Sequence, residues 1–354
     1  MVKDSYRDRC DDSQSSSLTI TVCIPVFNVE GYLRNCLDSI LSQNYARFNV
    51  VLIDDGSTDA SGFICDEYAA KHPHQLTVVH KENEGLLLAR RDGFKLANGD
   101  YVMCVDSDDM LLPGALSAVA KTAEYSNADV IRYGYTRNAS DSLSACPAIV
   151  DSMLRMRSKQ EMIAMLCRST DGSQNSMWSK AVRRSCVDVG TDYSAYKGLT
   201  FCEDFLQTLP IYDLAESFCE LDLPLYYYRP GSGITKEYNP HFYGDVCRCL
   251  DVGETYAAKW ELEFSCDGLM AGLASCRLDS ASWYAEWLAV NSDKDETGRL
   301  GQTADFLRCS NTADYSLLRP YRRIVIFSIR HCLVSIIKGI SFIHNLKKRL
   351  VQSE

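Results

Sequence analysis

Aspartates clustered at the end of an apolar run, Tyr101-Val-Met-Cys-Val-Asp-Ser-Asp-Asp109, are the residues of this 354-residue chain best suited to chemistry. In an extended segment alternate side chains share a side, so Asp106 and Asp108 face together with Ser107 opposite. Two carboxylates so placed repel each other unless a cation sits between them. Their hard oxygens suit Mg²⁺ or Mn²⁺ better than zinc. A similar turn stands earlier, Val51-Leu-Ile-Asp-Asp-Gly-Ser-Thr-Asp59. There Gly56 permits a tight turn, and Ser57 or Asp59 can cap the next helix. A carboxylate at Asp54 or Asp55 has the chemistry to accept the imino N–H of a uracil or thymine ring. Each turn also has a plainer reading, as a capped strand–turn–helix.

Both turns end strands in an alternating series. The patterning predicts strands at Leu18–Val26, Asn49–Ile53, Leu76–His80, Asp100–Val105 and Asp129–Tyr135. Between them it predicts helices at Val29–Gln43 (capped by Asn28), Thr58–Lys71, Leu86–Ala97 and Pro113–Tyr125. Such alternation implies an α/β fold with a largely parallel sheet, whose ligands bind beyond the carboxyl ends of the strands. Residues 1–17 read as a disordered leader, 136–157 as a loop, and 241–318 as a mostly helical extension.

Composition narrows the class. Hydrophobic content of 46% with 24% charged residues is that of a globular protein. A net charge of −10 argues against nucleic-acid binding. The sixteen cysteines lack Cys-x-x-Cys spacing and fall partly on apolar strand positions (Cys23, Cys104), which predicts reduced thiols in a cytoplasmic protein. The basic residues gather late: residues 319–354 hold eight Lys/Arg and one acid, a balance of +7 that leaves −17 elsewhere. As one helix, residues 322–350 place Val325, Ile329, Ile336, Ile340 and Ile343 on one face and Arg323, Arg330, Lys338 and Lys348 opposite. That pattern predicts a basic amphipathic tail on an anionic membrane surface, with docking on the protein's own core as the alternative.

Four segments, taken in order and spacing, resemble the family 2 glycosyltransferases over roughly residues 18–235. They are Thr21-Val-Cys-Ile-Pro-Val-Phe-Asn28, Ile53-Asp-Asp-Gly-Ser-Thr-Asp59, Asn83-Glu-Gly-Leu-Leu-Leu-Ala-Arg-Arg91, and Gly99 to Asp109. The resemblance implies a GT-A nucleotide-sugar-binding domain at 18–240 with a mixed, mostly parallel central sheet. Its nucleotide-binding half would be 18–135 and its acceptor half 136–240, followed by the helical extension and the tail at 319–354.

By that resemblance Pro25 and Asn28 border the nucleotide, and Asp55, with Asp54 beside it, contacts the base. Asp106 and Asp108 are implied to hold Mn²⁺ or Mg²⁺ against the donor diphosphate, with Arg90 and Asp106 near the phosphates. Asp204 in Glu203-Asp204 would be the general base. Trp178, Glu203, Arg229 and Ser232 would line the acceptor side or a lid. Arg91 and Leu87 depart from the Asn and Ser that many relatives carry. The implied activity is inverting, metal-dependent transfer of one sugar from a nucleotide-sugar, a UDP-sugar in first place, to a glycan or lipid-linked saccharide. The implied setting is cell-surface polysaccharide synthesis at the inner face of the membrane. The alternative is a nucleotide-sugar binding protein without catalysis. A nucleotidyltransferase would want a glycine-rich basic loop that Ile24-Pro-Val-Phe-Asn28 does not supply.

Overall fold

The computed structural model describes residues 17–138, 140, 149–170, 172–231, 239, 241–291 and 299–351. All but the last residue of the expected leader lies outside them. Short apolar runs form the buried strands β1 (Ile20–Val26), β2 (Phe48–Asp54) and β4 (Tyr101–Cys104) and the partly exposed edge strand β3 (Leu76–His80). Helices α1 (Glu30–Leu41), α2 (Ser61–Lys71) and α3 (Leu86–Leu96) return the chain between them. These four strands are mutually parallel in the order β3-β2-β1-β4, so Asp54, Asp55 and Asp106–Asp109 emerge at one edge.

The sheet continues through β8 (Lys180–Arg183), β6 (Val130–Thr136) and β9 (Phe218–Tyr227). Strand β8 runs antiparallel to both β4 and β6, and β9 is parallel to β6. Two short strands, β5 (Met110–Leu111) and β7 (Leu154–Arg157), lie antiparallel on β9. Strand β7 falls within the stretch expected to be a loop. The remaining helices of the sheet region are α4 (Ala115–Ser126), α5 (Lys159–Arg168) and α6 (Glu203–Leu214). Alternation along β1 divides the core. Ile20, Val22 and Ile24 pack with α1 and α4, whereas Cys23 packs with β2's Val51 and Ile53 against α3.

Beyond the sheet, α7 (Phe242–Phe264) and α8 (Leu269–Asn291) lead to helices Ala304–Thr312, Pro320–Arg330 and Val334–Val351. The basic tail is therefore two helices, divided where Cys332 takes a left-handed backbone (φ 55°). Its Val325 and Ile329, expected to face lipid, are instead buried with Ile326 and Ile337 against Leu278, Ala281 and Ala285 of α8. Polar clamps hold this seam: Arg322 donates to Glu286 at 2.6 Å, and His344 Nδ1 lies 2.9 Å from the same carboxylate. The Val325 and Ile329 part of the expected lipid-facing stripe is docked on the protein's own helices, whereas Ile336 and Ile343 of the same stripe stay exposed. Among the described residues no helix is long and apolar enough to cross a membrane.

Candidate active site

The carboxyl end of β4 and the start of α6 meet through one guanidinium. Buried Arg90, on α3, donates through Nη2 to Asp106 Oδ1 at 2.7 Å and through Nη1 to Asp204 Oδ1, with Glu203 Oε1 4.0 Å away. Asp204 sits in the first turn of α6, where the free N–H groups of a helix favour acids. Cys202 precedes it in the left-handed region (φ 68°), which turns the chain sharply into that helix. Burial holds Asp106 above the usual carboxylate range against the pull of Arg90. Glu203 is pushed up to about 7, first by burial and then by Asp204.

At the other aspartate turn the two carboxylates diverge. Asp54 turns toward α2, accepting from Ser57 N–H (3.0 Å) and lying 2.7 Å from His80 Nδ1. The hydrogen bond to Asp54 comes first among the causes that raise the pKa of His80. Asp55 accepts from the N–H groups of Glu84 and Gly85 at 3.0 and 2.8 Å, fixing the loop into α3. Pro25 is buried at the end of β1. Asn28 does not cap α1: Val29 occupies that position, and Asn28 (φ 48°) instead accepts from Thr58 N–H (2.7 Å) and Asp59 N–H (3.3 Å). The starts of α1 and α2 satisfy each other, Asp59 accepting from Glu30 N–H and Glu30 from Ala60 N–H. Arg91 anchors a neighbouring loop, donating to Asp188 O and to Thr191 O (3.3 Å) with Tyr193 beneath its guanidinium. Leu87 belongs to the core.

Asp109 proves to be a tether. It accepts from Tyr226 O–H (2.9 Å) and from Arg229 N–H (2.7 Å), while Tyr226 Oη accepts from Asp106 N–H (3.1 Å). Burial pushes Asp109 up to about 7. The Arg229 side chain reaches back to Asp108 O (2.7 Å) and lies over Tyr32. Trp178 stacks on Tyr226 at 4.7 Å and meets Tyr135 edge-on at 5.0 Å. Ser232 lies outside the described residues. Sequence reasoning missed Lys180, fully buried and donating to Asn175 O (2.9 Å) and Thr208 Oγ1 (3.0 Å), one turn along α6 from Asp204. Its place two residues after Trp178 was the available signal.

Among the described residues no group of three or more His, Cys, Asp or Glu converges as a self-sufficient metal site. The donor set nonetheless fits a divalent cation completed by substrate. Asp106, Glu203 and Asp204 surround a single guanidinium, the charge of Asp108 acts on Asp106, and Mg²⁺ is commonly held by one or two carboxylates plus phosphate oxygens.

Residues 21–169 match the family described as Glycosyl transferase family 2. The chain is 42% identical over 125 residues to the glycosyltransferase GlyA of Streptococcus pneumoniae serotype 4, covering 35% of this chain and 18% of that protein. It is 30% identical over 224 residues to the uncharacterized glycosyltransferase EpsJ of Bacillus subtilis, covering 62% and 64%. The chain thus spans less than two thirds of these curated relatives. In fold it is similar to S. aureus TarS 1–349 in complex with UDP-GlcNAc, with a TM-score of 0.63, 19% identity, and 93% and 92% of the two chains covered.

Proposed function

We propose that the chain, whose residues 21–169 match glycosyl transferase family 2, is an inverting transferase that moves one sugar from a nucleotide-sugar to an acceptor hydroxyl. The observation that carries the reading is Arg90, which touches both Asp106 beside the aspartate turn and Asp204 on α6. One buried cation thereby sets the candidate base against the candidate donor site. Asp204, oriented by that contact, accepts the acceptor's proton as its oxygen attacks the anomeric carbon opposite the leaving diphosphate. A positioned base contributes about 10²–10⁴-fold. When bound, a Mn²⁺ or Mg²⁺ ion at Asp108 and Asp106 would neutralise charge on the leaving diphosphate.

Pro25, Asn28, Asp54 and Asp55 form or brace the nucleotide end. Asp54 acts through the 57–59 turn, and Asp55 through the loop into α3. Trp178, Glu203, Arg229 and Ser232 belong to the acceptor side or lid. The donor first to be tested is a UDP-sugar, as in the TarS complex. The acceptor is a glycan or lipid-linked saccharide of cell-surface polysaccharide synthesis, met at the inner face of the membrane.

Release of nucleoside diphosphate from UDP-, GDP- and dTDP-sugars tests this, with Mn²⁺ or Mg²⁺ against chelator. Metal-dependent release from one donor, lost in Asp108→Ala and Asp204→Asn, is the expected result. Binding of a donor without release, with glycan acceptors present, would replace it with the binding-only reading.

A further inference from the structure

We infer that the C-terminal helix pair is a docking surface for an anionic lipid bilayer, engaged through the face left free after the pair packs on α8. The inference deepens the proposed transfer reaction, resting on it for the reason a membrane is useful. The surface itself is read from the side chains.

Docking on α8 consumes Val325, Ile326, Ile329 and Ile337. It leaves a second apolar set in water, in which Phe327 is 56% and Phe342 69% exposed, with Ile324, Leu333, Ile336 and Ile343 also exposed. Scattered exposed apolar residues are ordinary, but six within twenty residues form a patch of the kind that marks an interaction site. Helical spacing puts Arg323, Phe327 and Arg330 on one stripe of the first helix, and Lys338 and Phe342 on one stripe of the second. Both helices bury their opposite sides against α8, so both stripes look away from it.

Charge selects the occupant. Arg319, Arg330 and Lys338 are exposed and have no carboxylate partner among the described residues. The segment 319–354 carries +7 against −17 for the rest of the chain. An anionic surface therefore repels the body of the molecule and attracts this end, which fixes the orientation of approach. A second copy in a two-fold contact would set the same cations against each other, which disfavours self-association through this face. Cations flanking Phe and Ile are what an interfacial helix uses: rings and branched chains in the acyl boundary, charges at the headgroups.

The test is sedimentation of the full chain with vesicles of phosphatidylcholine alone or with roughly 30% phosphatidylglycerol, without donor or acceptor. Binding only to the anionic vesicles is expected, weakened by salt and reduced about tenfold or more in Phe327→Glu and in Phe342→Glu. Because both side chains project into solvent, unchanged circular dichroism and unchanged solution diphosphate release in these variants control for folding. Equal binding to both vesicle types, binding untouched by the variants, or self-association without vesicle binding would each overturn the inference. Vesicle binding by a chain that transfers no sugar would instead refute the transfer reading and leave this surface standing.

Discussion

Replacing Lys180 with Met is predicted to remove a rise of stability with pH that the wild type shows above neutrality. The side chain is 1% exposed and touches no carboxylate among the described residues: its partners are Asn175 O, Gln174 O and Thr208 Oγ1. Burial, reinforced by Arg132, pushes its pKa from 10.5 down to about 7. A neutral amine suits the same pocket, giving its two hydrogens to Asn175 O and Thr208 Oγ1.

Between pH 7 and 10.5 the unfolded chain therefore holds a proton at this position that the native protein does not. Stability rises with pH in that window, by about 1 kcal/mol per unit for this group. Over the first two units the gain is about 2 kcal/mol. The substituted thioether has no proton to lose, so the difference between wild type and Lys180→Met isolates the effect from cysteines and tyrosines titrating nearby. Thr208 still donates to Asn175 O in the variant (2.9 Å), which keeps that carbonyl satisfied. Urea unfolding at about pH 7, 8 and 9 should show the wild type gaining on the variant by about 1 kcal/mol at each step. A difference that stays flat across that range would falsify the claim that burial dominates at Lys180.

Two further substitutions probe the tether and the packing. Asp109→Asn presents an amide N–H to one of the two donors, Tyr226 O–H or Arg229 N–H, and should cost about 1–3 kcal/mol; a donor KM raised severalfold alongside a lowered thermal midpoint would mark it as a lid tether, and an unchanged KM as a core hydrogen bond alone. Gly99→Ala brings a methyl within 2.7 Å of Thr21 N and 2.8 Å of Thr19 O, both backbone atoms. Its expected cost in urea unfolding is about 1–3 kcal/mol, and a smaller loss would mean that the β1–β4 junction yields.

The parallel half of the sheet was legible because each strand reads as a short, mostly apolar run; Leu76–His80 was located to the residue. Strand β8 was not, since Lys180-Ala-Val-Arg183 offers cations where a buried strand should offer apolar residues, and nothing local announces that Lys180 is buried. Strand β5 is two residues long and exists only by pairing with β9. The aspartate turns were visible as turns, yet the division of labour among their carboxylates was not. Asp55 faces its own α3 loop, Asp109 meets a tyrosine 117 residues later, and Arg90 reaches Asp204 across 114 residues. Periodicity found one helix in the tail, but neither its break at Cys332 nor the burial of Val325 and Ile329 while Ile336 and Ile343 stay exposed.

The antiparallel insertion of β8 has a consequence for the order in which the molecule is built. When a ribosome has delivered residues up to Thr136, β3, β2, β1 and β4 can already pair, yet β4 shows an open edge and β6 has neither of its neighbours. Only after Arg183 emerges can β8 close the first gap, and β9 completes the second some forty residues later. A nascent chain arrested between those points exposes a hydrophobic strand edge of the sort that recruits another chain or a chaperone. The strand that carries the buried lysine beside the candidate base is thus also the keystone of assembly. Damage to it should appear as lost soluble yield before it appears as lost turnover.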